Sequence, residues 1–96
     1  MNKLLYKLKG KRAVLCKDLQ VWANGLDSTA RMVATDFVGE VKVSTVFLGV
    51  DHNFSNQGPP ILFETMVFGG MLDREQQRYA TWEKAEAGHK RIVKKV

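Results

Sequence analysis

Two stretches of alternating apolar residues, 32–38 and 41–50, place the strongest constraint on how this chain folds. Both stretches are rich in β-branched and aromatic residues, which fit the pleated surface of a sheet. Gly39 and Glu40 lie between them and supply a two-residue turn. The pattern therefore predicts an antiparallel hairpin at the centre of the fold.

A polar loop at residues 51–60 follows this hairpin. Gly58 and the adjacent Pro59 and Pro60 exclude regular structure there, because glycine favours turns and proline lacks a backbone donor. Residues 61–68 then form another apolar run, which predicts a further strand. The loop therefore joins the two strongest predicted strands.

The two ends of the chain complete the predicted domain. Residues 4–8 and 13–16 predict a first hairpin, and Asp18 is a typical N-cap for a helix that follows it. The apolar face of that helix contains Leu19, Trp22, Ala23, Leu26 and Ala30. Residues 73–78 are typical of a polar connector, and Thr81 begins a last amphipathic helix.

The length of 96 residues favours one domain without a second. The predicted fold class is α+β: a single small domain, 1–96, with a mainly antiparallel sheet of about four to five strands and two helices. The predicted order of elements is β-β-α-β-β-β-α. No apolar run approaches the roughly 20 residues of a membrane helix, so no membrane association is predicted. Cys16 is the only cysteine, which excludes an internal disulfide and favours a reducing cytoplasm.

The net charge of +5 is concentrated at the two ends of the chain. The predicted basic patch comprises Lys3, Lys7, Lys9, Lys11, Arg12, Lys90, Arg91, Lys94 and Lys95. If the two ends meet in space, they form a surface that attracts an anion or a nucleic acid. The alternative is that these side chains are solvated and keep the protein soluble.

Four polar residues, Asp51, His52, Glu64 and His89, are the candidates for a metal or acid–base site. The structural alternative is that Glu64 pairs with Arg78 or a lysine, that Asp51 caps the loop backbone, and that His89 packs within its helix. The sequence contains no HExxH, Walker, GxGxxG or GxSxG motif, so no catalytic residue, bound metal or cofactor is predicted.

Three segments carry a resemblance to a known family: 43–54 (VSTVFLGVDHNF), 58–70 (GPPILFETMVFGG) and 78–89 (RYATWEKAEAGH). Together with Trp22 in an upstream helix, they resemble a family of small uncharacterised proteins found in bacteriophages and prophages. The resemblance implies a phage origin and an accessory role in the cytoplasm of the infected bacterial host. Counter-defence, meaning inhibition of a bacterial immune system, is a subclass of that role by analogy.

The predicted function is therefore non-enzymatic binding of a host or phage macromolecule, with a protein as the expected partner. Phe54 in the loop, close to Pro59 and Pro60, is a candidate anchor for that partner. An exposed sheet edge would also permit a homodimer. Two alternatives stay open: a basic nucleic-acid-binding protein that uses the charged ends, and a small metal-dependent hydrolase that uses the four polar residues.

Overall fold

The computed structural model describes residues 4–26, 29–55 and 57–96. The elements in chain order are β1 Tyr6–Lys9, β2 Arg12–Leu15, α1 Leu19–Leu26, a 3-10 turn Thr29–Arg31, β3 Met32–Val38, β4 Val41–Phe47, β5 Phe63–Phe68, β6 Gln76–Tyr79 and α2 Trp82–Lys95. This arrangement confirms the α+β class. The order differs from the prediction by one extra strand, β6, and the strands form two sheets, one of two strands and one of four.

The central element is an antiparallel sheet with the strand order β3-β4-β5-β6. The predicted hairpin is confirmed, because β3 and β4 pair directly and their turn begins at Gly39, whose φ of +61° favours glycine. Its first strand, β3, lies at the edge of the sheet, and the central strands are β4 and β5. β4 also pairs with β5, with Thr45 opposite Thr65. Inward and outward side chains therefore stay in register across the sheet.

The helix α2 covers one face of this sheet. It begins at the predicted cap, Thr81, whose Oγ1 accepts a hydrogen bond from the backbone amide of Lys84 at 3.2 Å. The buried apolar core beneath it comprises Val43, Phe47, Leu62, Phe63, Val67, Tyr79, Ala85 and Ile92. Burial of these side chains is the main force that holds the helix on the sheet.

The β1–β2 hairpin and α1 extend the same side of the sheet. Tyr6, Leu8 and Ala13 pack against the buried cluster that contains Phe47 and Phe63. Cys16, which follows β2, is buried and 7 % exposed, as expected for a small side chain in the core.

The helix α1 is held by its cap, by packing on β1 and by contacts with the chain after β4. Asp18 Oδ1 accepts from the amide of Gln20 at 2.9 Å, which confirms the predicted N-cap. Trp22 Nε1 donates to the carbonyl of Gly49 at 3.0 Å. A Cβ at Gly49, where φ is +81°, would lie 3.0 Å from Leu26 Cδ2, so glycine permits this close packing. The predicted contribution of Ala30 to this face lies outside the described side chains.

The strand β6 corrects the sequence prediction for residues 73–78. We expected a polar connector there, but Gln76–Tyr79 pairs antiparallel with β5, with Glu64 opposite Arg78. Tyr79 is the one apolar residue of this strand, so no alternation of apolar and polar side chains marks it. It is a strand because the open edge of β5 offers its backbone hydrogen-bond partners.

The helices are short relative to a bilayer. α1 has eight residues and α2 has fourteen, whereas a spanning helix needs roughly 20 apolar residues. Within the described residues, no helix is therefore a candidate membrane span.

The hydroxyl of Tyr79 leads to a first prediction. It is buried and has no hydrogen-bond partner among the described residues. A buried polar group without a partner costs about 1–3 kcal/mol. We therefore expect Tyr79→Phe to leave the free energy of unfolding unchanged or to raise it by up to about 1 kcal/mol. Urea denaturation followed by circular dichroism measures this change, and a marked loss of stability would contradict it.

Candidate functional site

A chain of hydrogen-bonded side chains joins α2 to three strands of the sheet. His89, on α2, is 2 % exposed. Its Nε2 lies 2.7 Å from Asp36 Oδ2 on β3, and its Nδ1 lies 2.7 Å from Thr45 Oγ1 on β4. Thr45 Oγ1 in turn lies 2.5 Å from Thr65 Oγ1 on β5. We call these four residues the buried network.

The proton positions in the buried network follow from its acceptors. A carboxylate oxygen accepts hydrogen bonds, so His89 Nε2 carries a proton and donates a hydrogen bond to Asp36. In the neutral imidazole, Nδ1 then accepts from the hydroxyl of Thr45, and Thr65 donates to Thr45. Each buried polar side chain in the network therefore has a partner, which removes the penalty for its burial.

The order Asp, His, hydroxyl is also the order of a nucleophilic triad, but the exposure of the residues is reversed. In a triad the hydroxyl reaches the substrate and the carboxylate orients the histidine from behind. Here Thr45 and Thr65 are 0 % exposed, whereas the side chain of Asp36 is 57 % exposed. No substrate reaches a hydroxyl in this position. The buried network therefore stabilises the packing of α2 on the sheet.

Sequence reasoning identified His89 but missed its partners Asp36, Thr45 and Thr65. A signal for the two threonines was present. Both occupy inward-facing positions whose neighbours on the same face of the strand are apolar, and a polar side chain there needs a partner. The alternative that His89 packs within its helix is confirmed by its burial, and the structure adds its two hydrogen bonds.

The loop that carries Asp51 and His52 is closed by its own hydrogen bonds. Asp51 Oδ1 accepts from the amides of Asn53 at 2.7 Å and Ile61 at 2.9 Å, which confirms that Asp51 caps the loop backbone. His52 Nδ1 lies 2.8 Å from the carbonyl of Val50, so Nδ1 carries the proton. Phe54 is 71 % exposed, and its ring meets the ring of His52 edge-on.

Glu64 and His89 lie on opposite faces of the sheet. Arg78 Nε donates to Glu64 Oε2 at 2.9 Å across the β5–β6 pair, which confirms the structural alternative for Glu64. His89 instead contacts the face covered by α2. Among the described residues, no group of three or more histidine, cysteine, aspartate or glutamate side chains is arranged to hold a metal ion. The four residues predicted for a metal site are therefore not brought together.

Members of the predicted basic patch lie near both ends of α2: Lys11 and Arg12 at its start, Lys94 and Lys95 in its last turn. Lys3 lies outside the described residues, and the exposed members are Lys7, Lys9, Lys11, Arg12, Lys90, Arg91, Lys94 and Lys95. Lys11 Nζ lies 6.0 Å from the centroid of the Trp82 ring, at the start of the helix. Lys94 lies twelve residues after Trp82, which places it about 18 Å further along the helix axis at 1.5 Å per residue.

The face of the four-stranded sheet opposite α2 carries apolar side chains that contact solvent. One cross-strand row consists of Phe37, Lys42 and Phe68, and Phe37 and Phe68 are 67 % and 45 % exposed. The next rows add Met32, Val46 and Met66, and the Glu64–Arg78 pair lies at one side. The polar side chains of Thr35, Ser44 and Gln76 lie on the same face, in the row of Met66. We call this surface, Met32, Thr35, Phe37, Lys42, Ser44, Val46, Glu64, Met66, Phe68, Gln76 and Arg78, the open face.

Comparison with protein-family models, with curated proteins and with solved structures finds no match to this chain.

Proposed function

We propose that this protein is a non-enzymatic binding protein whose open face docks on the surface of a partner protein. The observation that carries the proposal is the exposure of Phe37 and Phe68 on a sheet whose other face packs against α2. The solvent face of an antiparallel sheet is usually polar. Aromatic and methionine side chains are enriched where one protein binds another. The open face carries two phenylalanines and two methionines among its polar side chains, and these four support an interface.

Lys42 defines the chemistry of the partner. It lies between Phe37 and Phe68, and its Nζ is 5.8 Å from the centroid of the Phe68 ring. A partner that covers this row removes water from the ammonium group, which is costly unless an opposite charge replaces it. The partner that fits is therefore a protein with an apolar patch that contains an aspartate or a glutamate.

A second copy of this chain fits the open face less well. In a twofold dimer whose axis passes near Lys42, the two copies of Lys42 come near each other and repel. Pairing through the sheet edges is also disfavoured. The β3 edge has an irregularity between Met32 and Ala34, and β6 has four residues. Bulges and short edge strands oppose edge pairing. These features favour a different protein over a homodimer.

The resemblance of segments 43–54, 58–70 and 78–89 to phage and prophage proteins supports a partner in the cytoplasm of an infected bacterium. That partner is of host or phage origin. Inhibition of a bacterial immune protein is one form that such binding takes. Inhibition of this kind needs no covalent bond to be made or broken, because occupation of an apolar patch on the target protein is enough to block that protein.

Replacing Phe68 by serine is expected to weaken the complex by at least about tenfold, or about 1.4 kcal/mol, because a central aromatic contact is lost. A tagged wild-type chain first captures the partner from a lysate of infected bacteria. The purified partner is then titrated with each variant by calorimetry. Phe37→Ser and Lys42→Glu are expected to weaken binding to a similar extent.

Leu19→Ser is the matched control, because Leu19 is 66 % exposed but lies on α1, outside the open face. Its dissociation constant should equal that of the wild type. Phe54→Ser tests the loop instead. If Phe54→Ser weakens the complex while Phe68→Ser does not, the loop is the interface and the proposal for the open face is wrong. Circular dichroism verifies that each variant is folded.

A further inference from the structure

A concave surface lies on the side of the sheet that α2 covers, away from the open face. It is a cleft of about 630 Å³ between the β1–β2 hairpin, residues 59–60 and the first turn of α2. This volume lies within the range of about 300–1,000 Å³ typical of small-molecule sites. The lining of the cleft includes Tyr6, Lys11, Arg12, Pro60, Trp82 and Lys84.

One part of the cleft attracts anions. Of its described lining residues, three are basic, Lys11, Arg12 and Lys84, and one is acidic, Glu83. The start of α2 adds to the positive potential of these basic side chains, because backbone N–H groups at a helix N-terminus carry partial positive charge. Thr81 Oγ1 accepts from the amide of Lys84. The amides of Trp82 and Glu83 precede it and have no acceptor within the helix.

The other part of the cleft is aromatic and apolar. Tyr6, Pro60 and Trp82 form its walls. Trp82 Nε1 is itself buried and has no hydrogen-bond acceptor among the described residues, so the ring, and not this nitrogen, is what the residue offers to the cleft. The indole of Trp22, by contrast, donates to the carbonyl of Gly49. A ligand that offers a planar ring would match this wall.

We propose that this cleft binds a nucleoside phosphate unit. The base packs against Trp82 and Tyr6, where aromatic stacking is worth about 1–3 kcal/mol per base in proteins that bind single strands. The phosphate lies between Lys11, Arg12 and the first amides of α2. Lys11 Nζ is 6.0 Å from the Trp82 ring, so the cationic and aromatic parts are within one nucleotide of each other.

Two sources share this chemistry: a free nucleotide and the end of a single-stranded nucleic acid. An acidic peptide shares only the charge, since it has no planar ring for the wall formed by Trp82. The cleft is lined by different residues from the open face, so the two proposals stand or fall separately. Phe68→Ser is expected to leave nucleotide binding unchanged.

The two tryptophan indole N–H signals in a ¹⁵N-correlated NMR spectrum provide the test. Trp82→Phe assigns them by removing one. The wild-type chain is titrated at low salt with AMP, with UMP, with adenosine, and with 5′-phosphorylated single-stranded RNA and DNA hexamers. We expect the Trp82 indole signal to shift with AMP or UMP, while the signal of Trp22 stays in place. Adenosine should bind at least tenfold more weakly than AMP.

A double variant, Lys11→Glu with Arg12→Glu, is expected to weaken binding at least tenfold. The matched control is Lys94→Glu with Lys95→Glu, which changes the net charge equally at the other end of α2. An equal loss in both variants would show that general charge, and not the cleft, attracts the ligand, and would overturn the proposal.

The remaining outcomes separate the possible ligands. Binding of AMP as tightly as the hexamers supports a free nucleotide. Much tighter binding of a hexamer, with a steep dependence on salt, supports a single-stranded nucleic acid. An unmoved Trp82 signal with every nucleotide and hexamer overturns the proposal. So does a response to a polyglutamate peptide alone, which would assign the cleft to acidic peptides.

Discussion

Replacing Gly88 by alanine is expected to lower the free energy of unfolding by about 2 kcal/mol or more. Gly88 lies on α2 with its backbone against the ring of Tyr79. A Cβ there would overlap the Tyr79 ring at Cε1, Cζ and the hydroxyl oxygen. Tyr79 is 8 % exposed and packs in the core, so its ring has little space in which to move.

Two opposing effects decide the sign of this change. Alanine improves helix propensity over glycine by about 1 kcal/mol. Overpacking of a tight core costs about 1–3 kcal/mol and sometimes more, and three overlapping atoms of a rigid ring indicate the upper end of that range. The steric cost therefore exceeds the gain in helix propensity.

Gly25 is the matched control for helix propensity. It lies in α1, and a Cβ there would meet no atom within 4 Å. Gly25→Ala is therefore expected to raise the free energy of unfolding by about 0.5 kcal/mol. Urea denaturation of both variants measures the two changes. Replacing glycine by alanine is thus expected to lower the free energy of unfolding at Gly88 in α2 and to raise it at Gly25 in α1.

A double mutant identifies the cause of the loss. If the Tyr79 ring is responsible, Tyr79→Leu should cost less in the Gly88→Ala background than in the wild type, with a coupling energy of about 1–3 kcal/mol. Independent, additive effects of the two substitutions would show that the overlap with Tyr79 is not the reason.

Replacing His89 by alanine is the second substitution with a large expected effect, a loss of about 3 kcal/mol. It removes a side chain that is 2 % exposed and leaves a cavity between α2 and the sheet. It also removes the acceptor of the Thr45 hydroxyl. Cavity formation and an unsatisfied buried group both lower stability. Chemical denaturation of the variant measures the loss.

Thr45→Val separates the hydrogen bond from the volume. Valine has nearly the same shape, but it leaves His89 Nδ1 without a donor, which is expected to cost about 1–3 kcal/mol. Thr35→Val is the matched control, because Thr35 lies on β3 and is exposed. Its effect should stay within about 0.5 kcal/mol. A Thr45→Val variant as stable as the wild type would contradict the proposed role of the bond.

Joint replacement of the three fully buried members of the network is expected to cost less than its disruption. A triple variant, Thr45→Val, Thr65→Val and His89→Leu, removes the buried polar partners together. Apolar substitutes of similar size are often neutral or stabilising in such positions. Asp36→Asn should also be mild, since its side chain is 57 % exposed and an amide oxygen still accepts from Nε2. A triple variant less stable than His89→Ala would show that the network itself is required.

The amino-acid sequence by itself determined most of the local structure. Alternation with period two predicted the hairpins, and Asp18 and Thr81 were identified as N-caps because capping depends on residues within one turn. The pairing of Glu64 with Arg78 and the capping role of Asp51 were also among the sequence-based interpretations. The strand β6 was missed, since its polar residues become a strand only beside the edge of β5.

Tertiary structure alone decided which distant residues meet. Asp36 and His89 are separated by 53 positions, and Thr45 and Thr65 meet through the register of β4 and β5. Strand β5 is apolar on both faces except at Glu64 and Thr65, so its own pattern did not indicate which face α2 covers. Local periodicity acts over a few residues and determines backbone conformation. The buried network, the open face and the cleft depend on packing between segments far apart in the chain, which no local pattern records.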